Sequence, residues 1–188
     1  MYVTTIGKQV CNYFTITSTR SRIEFVHGKK DSNQKIPWVN IEDFQFSSLL
    51  GTGGFGAVYK AQRKSTGKEY ALKIQPMETM VRSSRKAGAK VDDLTSIHME
   101  RTVLASCRGH PFIVQLEYAF HTEVYAILGL EYVPGGTLSS MISCCPQRRL
   151  PFELCKVYTI EPCLALHFMH CKGIIYRDLK VRRLTHLL

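Results

Sequence analysis

The chain has 188 residues, of which 45% are hydrophobic and 21% charged, and its formal net charge is +10. That length and balance describe one globular domain with a real core and exclude a disordered or fibrous chain. The positive charge admits an anionic partner such as nucleotide phosphate, nucleic acid or acidic membrane, but the basic residues are scattered and not interleaved with aromatics, so nucleic acid is not expected.

Residues 1–40 are polar, with the cluster TITSTRSR and the charged stretch HGKKDSNQK. They read as an extension or partly ordered arm in which YFTITSTRSRIEFV offers short strands, with Trp38 as an anchor. From Phe44 the pattern changes: FQFSSLL, GAVYKAQ and EYALKIQ are β-rich runs separated by GTGGF and RKSTGK, which predicts an antiparallel three-strand meander. VDDLTSIHMERTVLASCRG predicts a helix capped by Asp92 or Asp93, with Leu94, Ile97, Arg101 and Leu104 on one face and Gly109 and Pro111 closing it. FIVQLEYAF and VYAILGLEYV supply two more strands.

PGG at 134–136 breaks the chain, and helix and loop are predicted for everything after it. PFELCKVYTIEPCLALHFMHCKG is the second long helix, with Pro151 at its start and Gly173 past its end. Phe152, Val157, Ile160, Leu164, Leu166, Phe168 and Met169 surround most of its circumference, so it needs neighbours on nearly all sides. Pro162 in its interior is expected to kink it or to cost about 3 kcal/mol. The expected division is an arm over 1–40, a sheet-rich region over 41–133 and a helical region over 134–188.

Seven cysteines occur without a C-x-x-C pair, so no metal-ligand set is expected. No secretory leader pattern, long apolar run or myristoylatable Gly at position 2 is present. The expectation is a reducing intracellular compartment, cytoplasmic or nuclear, without membrane insertion.

Gly51, Gly53 and Gly56 form G-x-G-x-x-G, with Gly54 and Phe55 at the tip. The spacing alone suits a dinucleotide fold as well as a phosphate-covering hairpin. Here the glycines lead back into a strand, and a glycine hairpin tip lets backbone N–H groups close over phosphates. Lys73 in YALKI can reach α- and β-phosphates if a carboxylate steadies its ammonium, and Glu100 on the predicted helix is the candidate.

With HPFIVQLEYAF, LEYVPGG and YRDLK added, the chain resembles a eukaryotic Ser/Thr protein kinase of the AGC group, nearest the branch acting on ribosomal protein, over about residues 44 to 180. The resemblance implies an α+β fold: a small lobe of five antiparallel strands and one helix, followed by only the first helices of the large lobe. It implies that Leu50, Val58 and Ala71 cover adenine, that Leu130 is the gatekeeper, and that the backbones of Glu131 and Val133 pair with the adenine edge. Leu104, Leu116 and Tyr176 match three of the four stacked residues joining the lobes. Asp178 matches the residue that accepts or orients the substrate hydroxyl proton, and Lys180 the one that contacts the γ-phosphate.

The departures carry equal weight. The family continues D-L-K-P-E-N, whereas this chain reads DLKVRR, which puts Arg183 where an asparagine holds magnesium. D-F-G, the activation segment and A-P-E do not follow. Thr137 stands where basophilic relatives often carry Glu, Thr185 where the family has leucine, and Gly129 where a bulky residue is usual, while RSSRKAGAK lengthens the stretch before Glu100. The expectation is a truncated, catalytically impaired form that binds ATP weakly and does not hold magnesium properly. The alternatives are a non-enzymatic, pseudokinase-like regulatory module, or a fragment or mispredicted end of an active kinase. The second long helix is expected to offer an apolar surface to a chaperone or another protein partner.

Overall fold

The computed structural model describes residues 4–6, 14–16, 39–53, 56–77 and 94–186, with only the backbone described at 4–6, 14–16, 94–97 and 186. The strands are β1 (Thr4–Ile6), β2 (Phe14–Ile16), β3 (Phe44–Gly53), β4 (Gly56–Arg63), β5 (Glu69–Pro76), β6 (Leu116–His121), β7 (Tyr125–Glu131), β8 (Ile174–Tyr176) and β9 (Leu184–His186). The helices are α1 (Leu94–Ser106), α2 (Leu138–Cys144) and α3 (Phe152–Cys171). The chain divides into two units, one of residues 19–97 and 116–130, the other of 1–18, 98–115 and 131–188.

The first unit is the expected five-stranded antiparallel sheet, in the order β3-β4-β5-β7-β6. The predicted meander forms its first three strands, and the β4–β5 turn carries Gly67 at φ 69°, a conformation that glycine adopts without strain. Phe44, Ala61, Tyr70 and Leu72 are buried together, with Val39, Tyr118 and Phe120 packed against them. Phe44 meets Tyr70 edge-on at 5.9 Å between centroids and stacks on Phe120 at 6.4 Å. The Tyr118 hydroxyl accepts from Arg63 Nη1 at 2.8 Å and lies 3.2 Å from the Tyr70 hydroxyl, so the polar tips of this aromatic cluster are satisfied. Burial and the neighbouring hydroxyl push the Tyr70 phenol well above its ordinary range.

Gly129 has its physical reason here. It faces Tyr118 across the β6–β7 ladder, and a Cβ at Gly129 would sit 2.9 Å from a Tyr118 ring carbon. The tyrosine ring occupies the room that a bulky residue at 129 would take.

In the second unit α1 buries Glu100, Val103 and Leu104, while Arg101 is half-buried. The capping expectation at Asp92 and Asp93 and the anchor at Trp38 lie outside the described residues. The turn after α1 contains Gly109 at φ 85°, as its closing role requires. Thr137 caps α2 by accepting the Ser140 N–H at 3.1 Å, a local reason for a small hydroxylated residue at that position.

α3 runs for twenty residues with Pro162 inside it. The proline does not end the helix, although it lacks the N–H that would bond the Tyr158 carbonyl. Tyr158, Glu161, Pro162, Ala165 and Met169 are buried, a stripe at three- and four-residue spacing. The rest of the circumference leaves apolar side chains exposed, as the apolar surface expected of this helix requires: Ile160 is 56% and Leu164 48% exposed, and Phe152 is exposed as well.

The expectation of only helix and loop after 136 is corrected, because two strands form there. β8 pairs antiparallel with β2 (Phe14↔Tyr176, Ile16↔Ile174), and β9 with β1 (Thr4↔His186, Ile6↔Leu184). A three-residue strand persists only where its backbone finds a partner, and both partners come from the other end of the sequence. Thr185, in β9, is buried and also bridges Thr137.

Candidate active site

The glycine loop contains glycines of two kinds. Gly53 pairs with Gly56 across the hairpin tip, and Gly54 and Phe55 lie outside the described residues. A Cβ on Gly51 would meet nothing within 4 Å, which leaves the space a phosphate-covering loop needs. Gly56 differs: its φ is 132°, and a Cβ there would lie 2.1 Å from the Ile74 carbonyl oxygen of β5. The third glycine is therefore required by the approach of a neighbouring strand. Leu50 sits in the irregularity of the ladder between Leu49 and Gly51 and is half-buried.

Strand alternation then sorts the predicted ceiling residues. Val58 faces Lys73 and Lys60 faces Ala71 across the β4–β5 ladder, and cross-strand partners share a face. Tyr70 and Leu72 take the opposite face, with the aromatic cluster. The Gly129 Cβ direction points at Tyr118 and Leu72, so its neighbour Leu130 projects to the side of Val58, Ala71 and Lys73. The sheet thus brings Val58, Ala71, Lys73 and Leu130 onto one face, and all four are buried. Lys60, on the same face, is tied to Glu69 at 2.7 Å. Lys73 is only 4% exposed, and Glu100, on α1 of the other unit, is equally buried. Burial of an ionised side chain is costly unless other groups satisfy it, which marks both positions as specialised.

At the end of β7 the Glu131 N–H donates to the Gln115 carbonyl at 2.9 Å, and the Gln115 N–H donates to Glu131 Oε2 at 3.3 Å. The Gln115 side chain accepts the Gly109 N–H at 2.7 Å and donates to the His110 carbonyl at 3.1 Å. Gln115 therefore staples the turn after α1 to Glu131, while Val133 is buried two residues on. Sequence reasoning missed Gln115, because a lone glutamine after an apolar run carries no pattern.

Asp178 is the centre of the third group. Lys180 Nζ lies 2.8 Å from Asp178 Oδ1, and Arg183 Nη2 pairs with Asp178 Oδ2. Arg183 Nη1 also donates to the Asp178 carbonyl at 3.4 Å. The short turn Val181–Arg183 sets this up: its last N–H donates to the Lys180 carbonyl at 2.8 Å and folds Arg183 back, and Arg183 is only 5% exposed. The hydrogen bond from Lys180, helped by the charges of Arg183, Lys180 and Arg182, holds the Asp178 carboxyl below the usual carboxylate range against the opposing effect of burial. Both carboxylate oxygens are thus engaged by cations, a poor arrangement for accepting a proton.

A divalent cation does not fit beside Asp178 here. The position that would offer a neutral amide oxygen presents a buried guanidinium, which repels a dication and already neutralises the carboxylate. Tyr176, two residues before Asp178, is buried, as is Leu104, and Leu116 is half-buried.

A family profile described as protein kinase domain matches residues 44–184. The chain is 37% identical over 151 residues to protein kinase 3 of Dictyostelium discoideum, covering 80% of this chain and 15% of that protein. It is 36% identical over 141 residues to cAMP-dependent protein kinase type 3 of Saccharomyces cerevisiae, covering 75% and 33%. Against protein kinase C zeta type of Oryctolagus cuniculus the figures are 35% over 143 residues, 76% and 22%. The chain thus spans at most a third of the length of these relatives.

Proposed function

Because the chain belongs to the protein kinase domain family, we propose that it is an ATP-binding module of the Ser/Thr type whose phosphoryl-transfer site is impaired by Arg183. The relatives named as protein kinase C and cAMP-dependent protein kinase support placing it in the AGC group. In this reading Leu50, Val58, Ala71 and Leu130 cover adenine, and the backbones of Glu131 and Val133 meet its edge. Gly51, Gly53, Gly54, Phe55 and Gly56 form the loop over the phosphates. Lys73 takes the α- and β-phosphates, Glu100 holds the role of its steadying carboxylate, and Lys180, which pairs with Asp178, is the residue that would contact the γ-phosphate. In the whole proteins of the family the product is phosphorylated Ser or Thr of a protein, with Asp178 positioned for the hydroxyl proton.

The Arg183–Asp178 ion pair carries the reading of impairment. Phosphoryl transfer depends on neutralising charge at the moving phosphate and on a correctly placed base. Here the base is paired and the metal position is cationic. ATP therefore binds weakly and with nearly the same affinity with or without magnesium. Calorimetric titration of the wild type and of Arg183→Asn with ATP, each with and without magnesium, tests this. The expected outcome is no magnesium effect in the wild type and a gain of roughly tenfold, about 1.4 kcal/mol, in Arg183→Asn. Magnesium-dependent transfer by the wild type that disappears in Asp178→Ala would refute the reading.

A non-enzymatic role in binding a protein partner is the second reading, favoured by the exposed Phe152, Ile160 and Leu164 on α3. Exposed, unbridged Cys144, Cys155, Cys163 and Cys171 support a reducing intracellular setting. No described helix is long and apolar enough to cross a membrane.

A further inference from the structure

We propose that His167 and Cys171 form a two-ligand site for zinc on the exposed face of α3. Both side chains are exposed, and they stand one helical turn apart, the spacing that places side chains above one another. The sequence is symmetrical around the histidine, since Cys163 lies four residues before His167 and Cys171 four after. The structure breaks that symmetry: His167 Nε2 is turned toward Cys171 Sγ at 3.6 Å.

That distance fits a metal chelate. Zinc bonds of about 2.1 Å to nitrogen and about 2.3 Å to sulfur, opened to the tetrahedral angle, put the two ligand atoms roughly 3.6 Å apart. The pair therefore needs little rearrangement to close on a zinc ion. Rigid helical backbone sets the separation, so the ordering cost of binding is small. Binding takes the thiol proton to solvent and leaves a thiolate and a neutral imidazole on the metal; nothing is oxidised or reduced. The described residues contain no group of three His, Cys, Asp or Glu able to hold a metal, so solvent completes the coordination. The absence of C-x-x-C excludes a closed structural cage, and an open two-ligand site of this kind is a different thing. The imidazole and thiolate donors favour zinc over magnesium or calcium, so the site is chemically separate from any role at Asp178.

The test is alkylation of each cysteine in the full chain, followed by peptide mapping, with and without zinc chloride. Since the thiolate is the nucleophile and zinc occupies it, saturating zinc is expected to slow alkylation of Cys171 by roughly tenfold or more. Cys155, exposed on the same helix with Pro151 and Thr159 four residues to either side, is expected to be unaffected. His167→Ala, an exposed substitution that leaves the buried stripe intact, is expected to abolish the protection, and a chelator to reverse it. Cobalt chloride in place of zinc is expected to give a thiolate-to-metal absorption band that Cys171→Ser removes. Equal protection of Cys155, protection of Cys163 instead of Cys171, or undiminished protection in His167→Ala would each overturn the proposal.

Discussion

Replacing Gly56 with alanine separates two explanations of the glycine motif. If the third glycine served only the ligand, Gly56→Ala would leave the fold untouched. The structure says otherwise, because the new Cβ would lie 2.1 Å from the Ile74 carbonyl oxygen and 3.0 Å from its carbon, both backbone atoms that cannot rotate away. At φ 132° an L-residue is also strained, at about 1–3 kcal/mol. Relieving the contact moves β5 away from β4 beside the Ala57↔Ile74 pair, and overpacking of this kind costs a further 1–3 kcal/mol or so. The sum is about 2–6 kcal/mol, a large part of a typical domain's stability. It corresponds to a fall in Tm of about 4–24 °C for a chain of this length. Gly51→Ala is the control: nothing lies within 4 Å of its Cβ, so stability should change by no more than about 0.5 kcal/mol. Urea unfolding followed by far-UV circular dichroism measures both. A Gly56→Ala protein as stable as the wild type, or a Gly51→Ala protein equally destabilised, would refute the reasoning.

Two further outcomes are expected. Gly129→Ala pushes a methyl against the Tyr118 ring at 2.9 Å with Leu72 behind it, so it should cost about 1–3 kcal/mol, and Gly129→Ala combined with Tyr118→Ala should cost less than the sum of the two single changes. Stability should also fall as pH drops below about 6.5 through His110, whose imidazole is held below its ordinary pKa by burial. The ring packs on Phe168 at 4.6 Å between centroids, and its Nδ1 accepts the Phe112 N–H at 3.2 Å, both of which suit the neutral form. The unfolded chain then takes up the proton first, so acidification through the unfolded value favours unfolding. His110→Gln should flatten the stability slope between pH 7 and 5, and an unchanged slope would count against this assignment.

Much of the sheet and its glycine loop was legible because strands and turns announce themselves locally. β-rich composition in GAVYKAQ and EYALKIQ already marked two strands, and a Gly-rich tip between strands marked the hairpin, while the common face of Val58, Ala71 and Lys73 came from the pairing register. YRDLK and DLKVRR likewise identified Asp178 and singled out Arg183 as a departure. What Arg183 does was not legible, since its ion pair with Asp178 depends on a turn that folds the side chain back. The same holds for Gly129, which looked like a gap until Tyr118 was seen to fill it, and for Gln115, whose bonded neighbours Gly109, His110, Ile113 and Glu131 are unrelated by any sequence period. Local backbone preference fixes which residues form a strand or a loop, because those forces act between neighbours in the chain. Which strand lies between which, why β8 and β9 exist at all, and which of Cys163 and Cys171 meets His167 depend on side chains and backbone groups brought together only when the chain has folded.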